Sequence, residues 1–268
     1  MMILLKAENE MINRFYKQGQ KLDVAGLNEI TVLIDRSETE LTEIGWNCWT
    51  PNQDGPPHRH NDKSQIFYVT NGVGKIHLGK KVFDAKPGSL ACVPAGLVHQ
   101  TITTTEKRLC YILFNVFLNS EKEGHSTFAD HIEKVKQIRK RQAVSGKVDA
   151  DNEETNFETR PGKFYKDLFS FITKDTANLK ITLLDEKASR IQLKLLSYSA
   201  GESIHNAKTK SVEQTFFVLR GKALLTIEND TTEKANSGNV FFIPGDTAYD
   251  IKVGNEDMLC LCLSALID

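Results

Sequence analysis

The sequence has no long hydrophobic run. Only Met2-Ile3-Leu4-Leu5 separates Met1 from Lys6, which is too little for a signal-peptide core. No later stretch approaches the roughly 20 apolar residues of a membrane-spanning helix. A water-soluble, cytoplasmic chain is expected. An excess of either charge is also missing, since 34 Lys+Arg stand against 35 Asp+Glu. That balance creates no global field of the kind that draws nucleic acid or an anionic membrane, so neither is an expected partner. Cysteine is scarce: Cys48, Cys92, Cys110, Cys260 and Cys262 are odd in number, form no CxxC pair and sit in apolar stretches. The pattern argues against a disulfide framework or a thiolate metal site and reads as small core side chains.

What the chain does have is length, 268 residues, enough for two buried cores, and an internal repeat that fills it. Val32-Leu33-Ile34-Asp35 returns as Thr182-Leu183-Leu184-Asp185. Gln65 to Gly72 (QIFYVTNG) returns as Gln214 to Gly221 (QTFFVLRG), and Gly88 to Pro94 (GSLACVP) as Gly238 to Pro244 (GNVFFIP). Asp35 thus aligns with Asp185, Gln65 with Gln214 and Gly88 with Gly238, offsets of 150, 149 and 150. Leu109 to Leu113 matches Leu259 to Leu263 in the same frame. Each copy is a series of short runs rich in Val, Ile, Phe and Thr, broken by Gly, Pro and Asn-Asp turns, which predicts an all-β sandwich or barrel.

Between the copies the period changes. Phe128, Ile132, Val135 and Ile138 fall at helical spacing within Thr127 to Val144. Thr127 with Asp130 predicts an N-terminal cap, and Gly146 a stop. The series Lys134, Lys136, Arg139, Lys140 and Arg141, diluted by Asp130 and Glu133, reads as a solvated helix face. Lys147 to Arg160 is polar and predicts an exposed linker. The expected layout is an N-terminal arm over 1–30, a first barrel over 31–120, helix and linker over 121–160, and a second barrel over 161–268.

Chemistry concentrates in the first copy. Gly55-Pro-Pro-His58-Arg-His60 leads through an Asn61-Asp62 turn to Gln65 and then Gly72. Histidines two apart on an extended strand share a face. Gly88 to His99 (GSLACVPAGLVH) follows, with a Pro and Gly turn that delivers His99 to another strand. Three imidazoles converging at a barrel mouth would hold a divalent metal with positions open for water and substrate.

These residues resemble the cupin superfamily, whose two motifs read G-x5-H-x-H-x3–4-E-x6-G and G-x5-P-x-G-x2-H-x3-N; His58, His60, Gly72 and the run from Gly88 to His99 match them. The opening glycine lies closer than usual, at Gly55, the motif's glutamate is Gln65, and its terminal Asn is Thr103. The resemblance implies two tandem jelly-roll β-barrels joined by a helical linker, the helix bracing the outside. It also implies one divalent transition metal (Fe, Mn, Ni, Co or Zn) in the first barrel, held by His58, His60, His99 and Gln65. Glutamine in place of glutamate leaves the ligand set neutral, so a bound cation would keep its full charge and attract anionic substrates.

The second copy lacks the site. The repeat carries His58, His60 and His99 onto Ala207, Thr209 and Tyr249, and only Gln214 keeps its position. His205 lies two residues upstream of the first ligand position, where it could enter a pocket with Glu213 or Tyr249. His77, in Lys75-Ile76-His77-Leu78, either faces into the first barrel as a proton shuttle or outward to solvent. With Gln65 it completes the candidate catalytic residues. His125 and His131, beside the helix, are expected to be exposed. The resemblance implies a metal-dependent enzyme on a small polar or anionic oxygenated substrate, of dioxygenase type ahead of sugar or keto-acid isomerase. A non-catalytic small-molecule-binding cupin is the alternative, and a homodimer is left open.

Overall fold

A computed structural model describes residues 11–145, 164–172, 179–227 and 231–267. The expected helix stop at Gly146 and the polar linker over 147–160 lie outside the described residues. The described chain forms two compact units: residues 17–37, 42–145 and 164–172 make one, and residues 11–16, 38–41 and 179–267 the other.

The first unit is built on a seven-stranded sheet ordered Tyr165–Asp167, Ser89–Val93, Lys63–Asn71, Leu109–Phe117, Thr42–Trp49, Asn28–Ile34, Gln20–Val24. Leu109–Phe117, in the middle of this order, is buried at every position. It therefore reads as a nearly continuous apolar run, interrupted by Asn115, rather than an alternating one. A three-stranded sheet, ordered Lys81–Ala85, Gly74–Leu78, His99–Ile102, completes the unit. Here alternation is visible: Ile76 and Leu78 are fully buried while Lys75 and His77 are half-buried on the opposite face. Part of the stretch expected as an arm, Gln20–Val24 and the start of Asn28–Ile34, builds this unit's large sheet.

The second unit repeats the plan. Asn239–Ile243, Val212–Arg220, Met258–Leu266, Ile191–Tyr198 and Lys180–Glu186 stand in the same order as their counterparts, with Ile12–Phe15 added at the edge. A four-stranded sheet carries Ala248–Val253 and its neighbours. The fold is the all-β pair of jelly rolls that the family resemblance implied.

Two expectations need correction. Cys48 and Cys110 lie directly opposite each other on antiparallel strands and form a disulfide. Their separation of 62 residues carries no pairing signal in the sequence, because only the sheet register brings them together. Cys92, Cys260 and Cys262 are free and buried, as core side chains should be.

The second correction concerns the helix, Phe128–Ser145. Its cap is the predicted one: Asp130 N–H donates to Thr127 Oγ1 and Thr127 N–H to Asp130 Oδ2, both at 3.1 Å. The helix does not simply brace an outer face. Phe128 and Ile132 are buried, and with Val135 and Ile138 they line the interior cavity of the first unit. An apolar stripe of this width must be covered, and the mouth of the first jelly roll is where it is buried.

Candidate metal centre

His58, His60 and His99 converge. Their ligating nitrogens all lie within 4.8 Å of one another, and the ring centroids are 5.1 Å (His58–His60), 4.3 Å (His58–His99) and 5.5 Å (His60–His99) apart. The backbone enforces this. His58 N–H donates to His99 O at 3.0 Å and His99 N–H to His58 O at 2.8 Å, an isolated bridge rather than a long strand. Gly96, at φ 82°, makes the turn before His99, and its N–H donates to His60 O at 2.7 Å. A β-carbon at Gly55 would come within 2.4 Å of the Trp49 ring, so the loop leading to His58 can pass only as glycine.

The imidazoles are neutral. Burial, with Arg139 and Lys63 nearby, pulls the His58 pKa down to about 4, and burial first of all holds His60 and His99 well below the usual histidine range. His58 Nδ1 lies 2.9 Å from Pro56 O, and His99 Nδ1 3.1 Å from Leu97 O. A carbonyl only accepts, so in the neutral rings Nδ1 carries the proton and Nε2 presents a bare lone pair. That is the form in which histidine ligates a metal, with the oriented tautomer already fixed.

Gln65 lines the same cavity. Its Nε2 donates to Asn115 Oδ1 at 2.9 Å, and Asn115 Nδ2 donates to Glu43 Oε1 at 2.6 Å. Glu43 in turn pairs with Arg36 Nε at 2.6 Å, both side chains fully buried. Gln65 Oε1 is buried with no hydrogen-bond partner among the described residues. An orphaned carbonyl in the same cavity as three neutral imidazoles fits a site for a cation, so the donor set suits a divalent metal. Thr103, at the place of the motif's Asn, accepts from Gln53 N–H at 2.7 Å and donates to Thr50 O at 2.8 Å, tying the turn before Gly55.

The surrounding cavity measures about 340 Å³. Arg59, Lys63, Lys134 and Arg139 line it, together with Trp49, Tyr111 and His131, and among the described residues no Asp or Glu lines it. His131 is not the exposed residue expected. Its Nδ1 is buried without a partner among the described residues, and burial holds its pKa well below the ordinary value. Neither His131 nor Arg139 emerged as a site residue from the motifs. The signal was present in the helical period, because 128, 131, 135, 138 and 139 fall on one face. His77 shares its strand face with Lys75, opposite the core side chains, and does not line the cavity. Its role as proton shuttle is not carried forward.

In the second unit Ala207 pairs with Tyr249 in register, as His58 does with His99. Tyr249 Oη donates to Gln214 Oε1 at 3.0 Å among a core that includes Phe216, Phe241 and Met258. His205 is exposed beside Asp250, and Glu213 instead accepts from the backbone N–H groups of Glu40 and Leu41. Neither joins a site.

Comparison with known proteins agrees with this geometry. Residues 46–115 match the family model described as "Cupin domain". A sequence search of curated proteins finds no match. Among solved structures, a point mutant of Bacillus subtilis oxalate decarboxylase is similar at TM-score 0.63 and 15% identity, covering 96% of this chain and 78% of that one. The coconut allergen cocosin is similar at TM-score 0.66 and 9% identity, covering 97% and 86%. AerE from Microcystis aeruginosa follows at TM-score 0.58 and 14% identity, covering 94% and 99%. At these identities the likeness is one of fold. Among the described residues, no helix is long and apolar enough to cross a membrane.

Proposed function

We propose that this chain is a two-domain cupin, residues 46–115 matching the cupin-domain model and the solved structures sharing the fold, and that its first barrel is a mononuclear metal centre acting on a small anionic, oxygenated substrate. One observation carries the reading: three neutral imidazoles meet in a cavity lined, among the described residues, by four basic side chains and no acidic one. His58, His60 and His99 would hold the metal, with Gln65 Oε1 as a neutral fourth donor or as the acceptor for a water beside it. A divalent transition metal at such a site supplies Lewis-acid polarisation of a substrate oxygen and, for a redox-active ion, electron transfer. The protein's own part is to fix the imidazole tautomers through Pro56 and Leu97, to hold Gln65 through Asn115, and to draw an anion in with Lys63 and Arg139.

The absence of a carboxylate from the lining bears on reaction type. Isomerisation of a sugar or keto acid needs a general base beside the substrate. With glutamine at position 65, no carboxylate stands among the described lining groups to take that part. His131, neutral and with Nδ1 unpartnered among the described residues, is the lining group left to move a proton, and it would serve either chemistry. A neighbour of similar fold is named for acting on oxalate, a small dianion, which is consistent with the charge of this cavity. The second barrel is structural in this reading, its interior filled by Tyr249 and packed apolar side chains.

The test is to purify the protein without chelators, measure its metal, and screen the loaded form against small carboxylates for oxygen uptake and new products. Metal-dependent turnover of a carboxylate is expected. Saturable carboxylate binding to the loaded protein with no turnover under any condition would favour the non-catalytic binding module.

A further inference from the structure

Arg139 stands on the helix between the two repeats, outside both sequence motifs, yet it lines the cavity of the histidine site. Its partners are all uncharged. Nη1 donates to Val24 O at 3.3 Å and to Asn28 Oδ1 at 3.1 Å. The guanidinium carbon lies 5.9 Å from the Trp49 ring centroid. Asn28 Nδ2 donates to Asn47 Oδ1 at 2.7 Å, and Asn47 Nδ2 to Tyr111 Oη at 2.9 Å, where Trp49 Nε1 also donates at 2.9 Å. That chain orients Asn28 Oδ1 toward the guanidinium. Among the described residues, Nε and Nη2 have no hydrogen-bond partner and no carboxylate lines the cavity beside the guanidinium. A half-buried guanidinium inside a cavity is normally paired. One that is braced on a single edge, with its other donors unspent, is a preformed fork for a planar anion.

We infer that Arg139 is the carboxylate-binding residue of the site, and that the substrate is a small carboxylate anchored at one end by this guanidinium and presenting an oxygen to the three histidines at the other. The inference rests on the reading of the histidine site for its second anchor only. The helix is then part of the active site, and the residues between the repeats determine which substrates enter. Trp49 and Tyr111 wall the cavity beside the fork and favour a compact, planar acid over an extended, polyhydroxylated one.

Malonate is the probe, with uncharged malonamide as its counterpart, titrated calorimetrically into chelator-treated protein so that no metal contributes. Malonate should bind saturably and malonamide should not. Arg139→Met should weaken malonate at least about tenfold, and Arg139→Lys, which keeps the charge but loses the fork, should fall between. Lys134→Met should change it far less. Metal titration of the same variants reports whether the histidine site is intact: affinity lost for malonate but kept for metal marks a binding role, which a merely structural Arg139 would not produce. If Arg139→Met does not fold, Arg139→Lys decides, and unchanged malonate affinity in that variant overturns the inference. Wild type that takes up metal but no malonate also overturns it, while leaving the metal site standing. Arg139-dependent malonate binding in a protein that takes up no metal would support the inference and defeat the metal site instead.

Discussion

At residue scale the informative position is Gln65. Its amide reaches the buried Glu43 carboxylate through a single bridge, Asn115, oriented so that Asn115 Oδ1 faces Gln65 and Nδ2 faces Glu43. Gln65→Glu would set a second acceptor against Asn115 Oδ1 and bring a second carboxylate into a network balanced by Arg36. The metal-free variant should therefore unfold at a lower temperature than wild type, by an amount on the order of 1–3 kcal/mol for a buried polar group left unpaired. With metal the sign reverses. A negative charge a few ångströms from a divalent cation outweighs a neutral carbonyl, so Gln65→Glu should bind metal more tightly and small anions more weakly. Metal titration of both proteins at one ionic strength checks this. Equal affinities would mean that Gln65 Oε1 does not reach the ion.

At the scale of elements, the helix Phe128–Ser145 matters most, because it closes the cavity of the first unit. Phe128 is 1% exposed and packs where Gly45 leaves room: a β-carbon there would meet its Cε1 at 3.2 Å. Phe128→Ala should cost roughly 3–5 kcal/mol in urea unfolding, and Thr127→Ala, which removes the cap, about 1 kcal/mol. The helix also marks what the sequence made legible. Its period and its capping pair were readable, since both are local. The surface it covers was not, because an apolar stripe says only that something must bury it. For the same reason His131 was expected in solvent and Arg139 on a solvated face. The three histidines, by contrast, were readable because their spacing and the Pro94-Ala95-Gly96 turn encode convergence within short stretches of chain. The Cys48–Cys110 bridge depends on the register of two strands far apart in sequence, and no local pattern reports that.

At the scale of the whole molecule, one fold is used twice and, among the described residues, the three-histidine cluster occurs once. Buried neutral histidines make the metal-free protein sensitive to acid. His58, His60, His99 and His131 all titrate below their unfolded value of about 6.5. Between those values the unfolded chain binds more protons, so stability is full above about pH 6.5 and falls as pH drops. For His58 the window runs from the ordinary 6.5 down to about 4, a loss on the order of 3 kcal/mol when complete. Melting temperatures of chelated protein from roughly pH 7.5 to 5.5 should decline, and a His58→Ala, His60→Ala, His99→Ala triple variant should decline less. Equal slopes would remove the histidines as the cause.

The central claim, a single metal centre in the first of two barrels, is tested most directly by counting metal. Protein purified without chelators, or reconstituted with Mn, Fe, Co, Ni or Zn, should carry about one transition metal per chain by elemental analysis, held at the three-histidine set. His99→Ala should lose most of it, and Tyr249→Phe, at the equivalent place in the second barrel, should lose none. Two metals per chain, none with any of these ions, or full retention in His99→Ala would contradict the account.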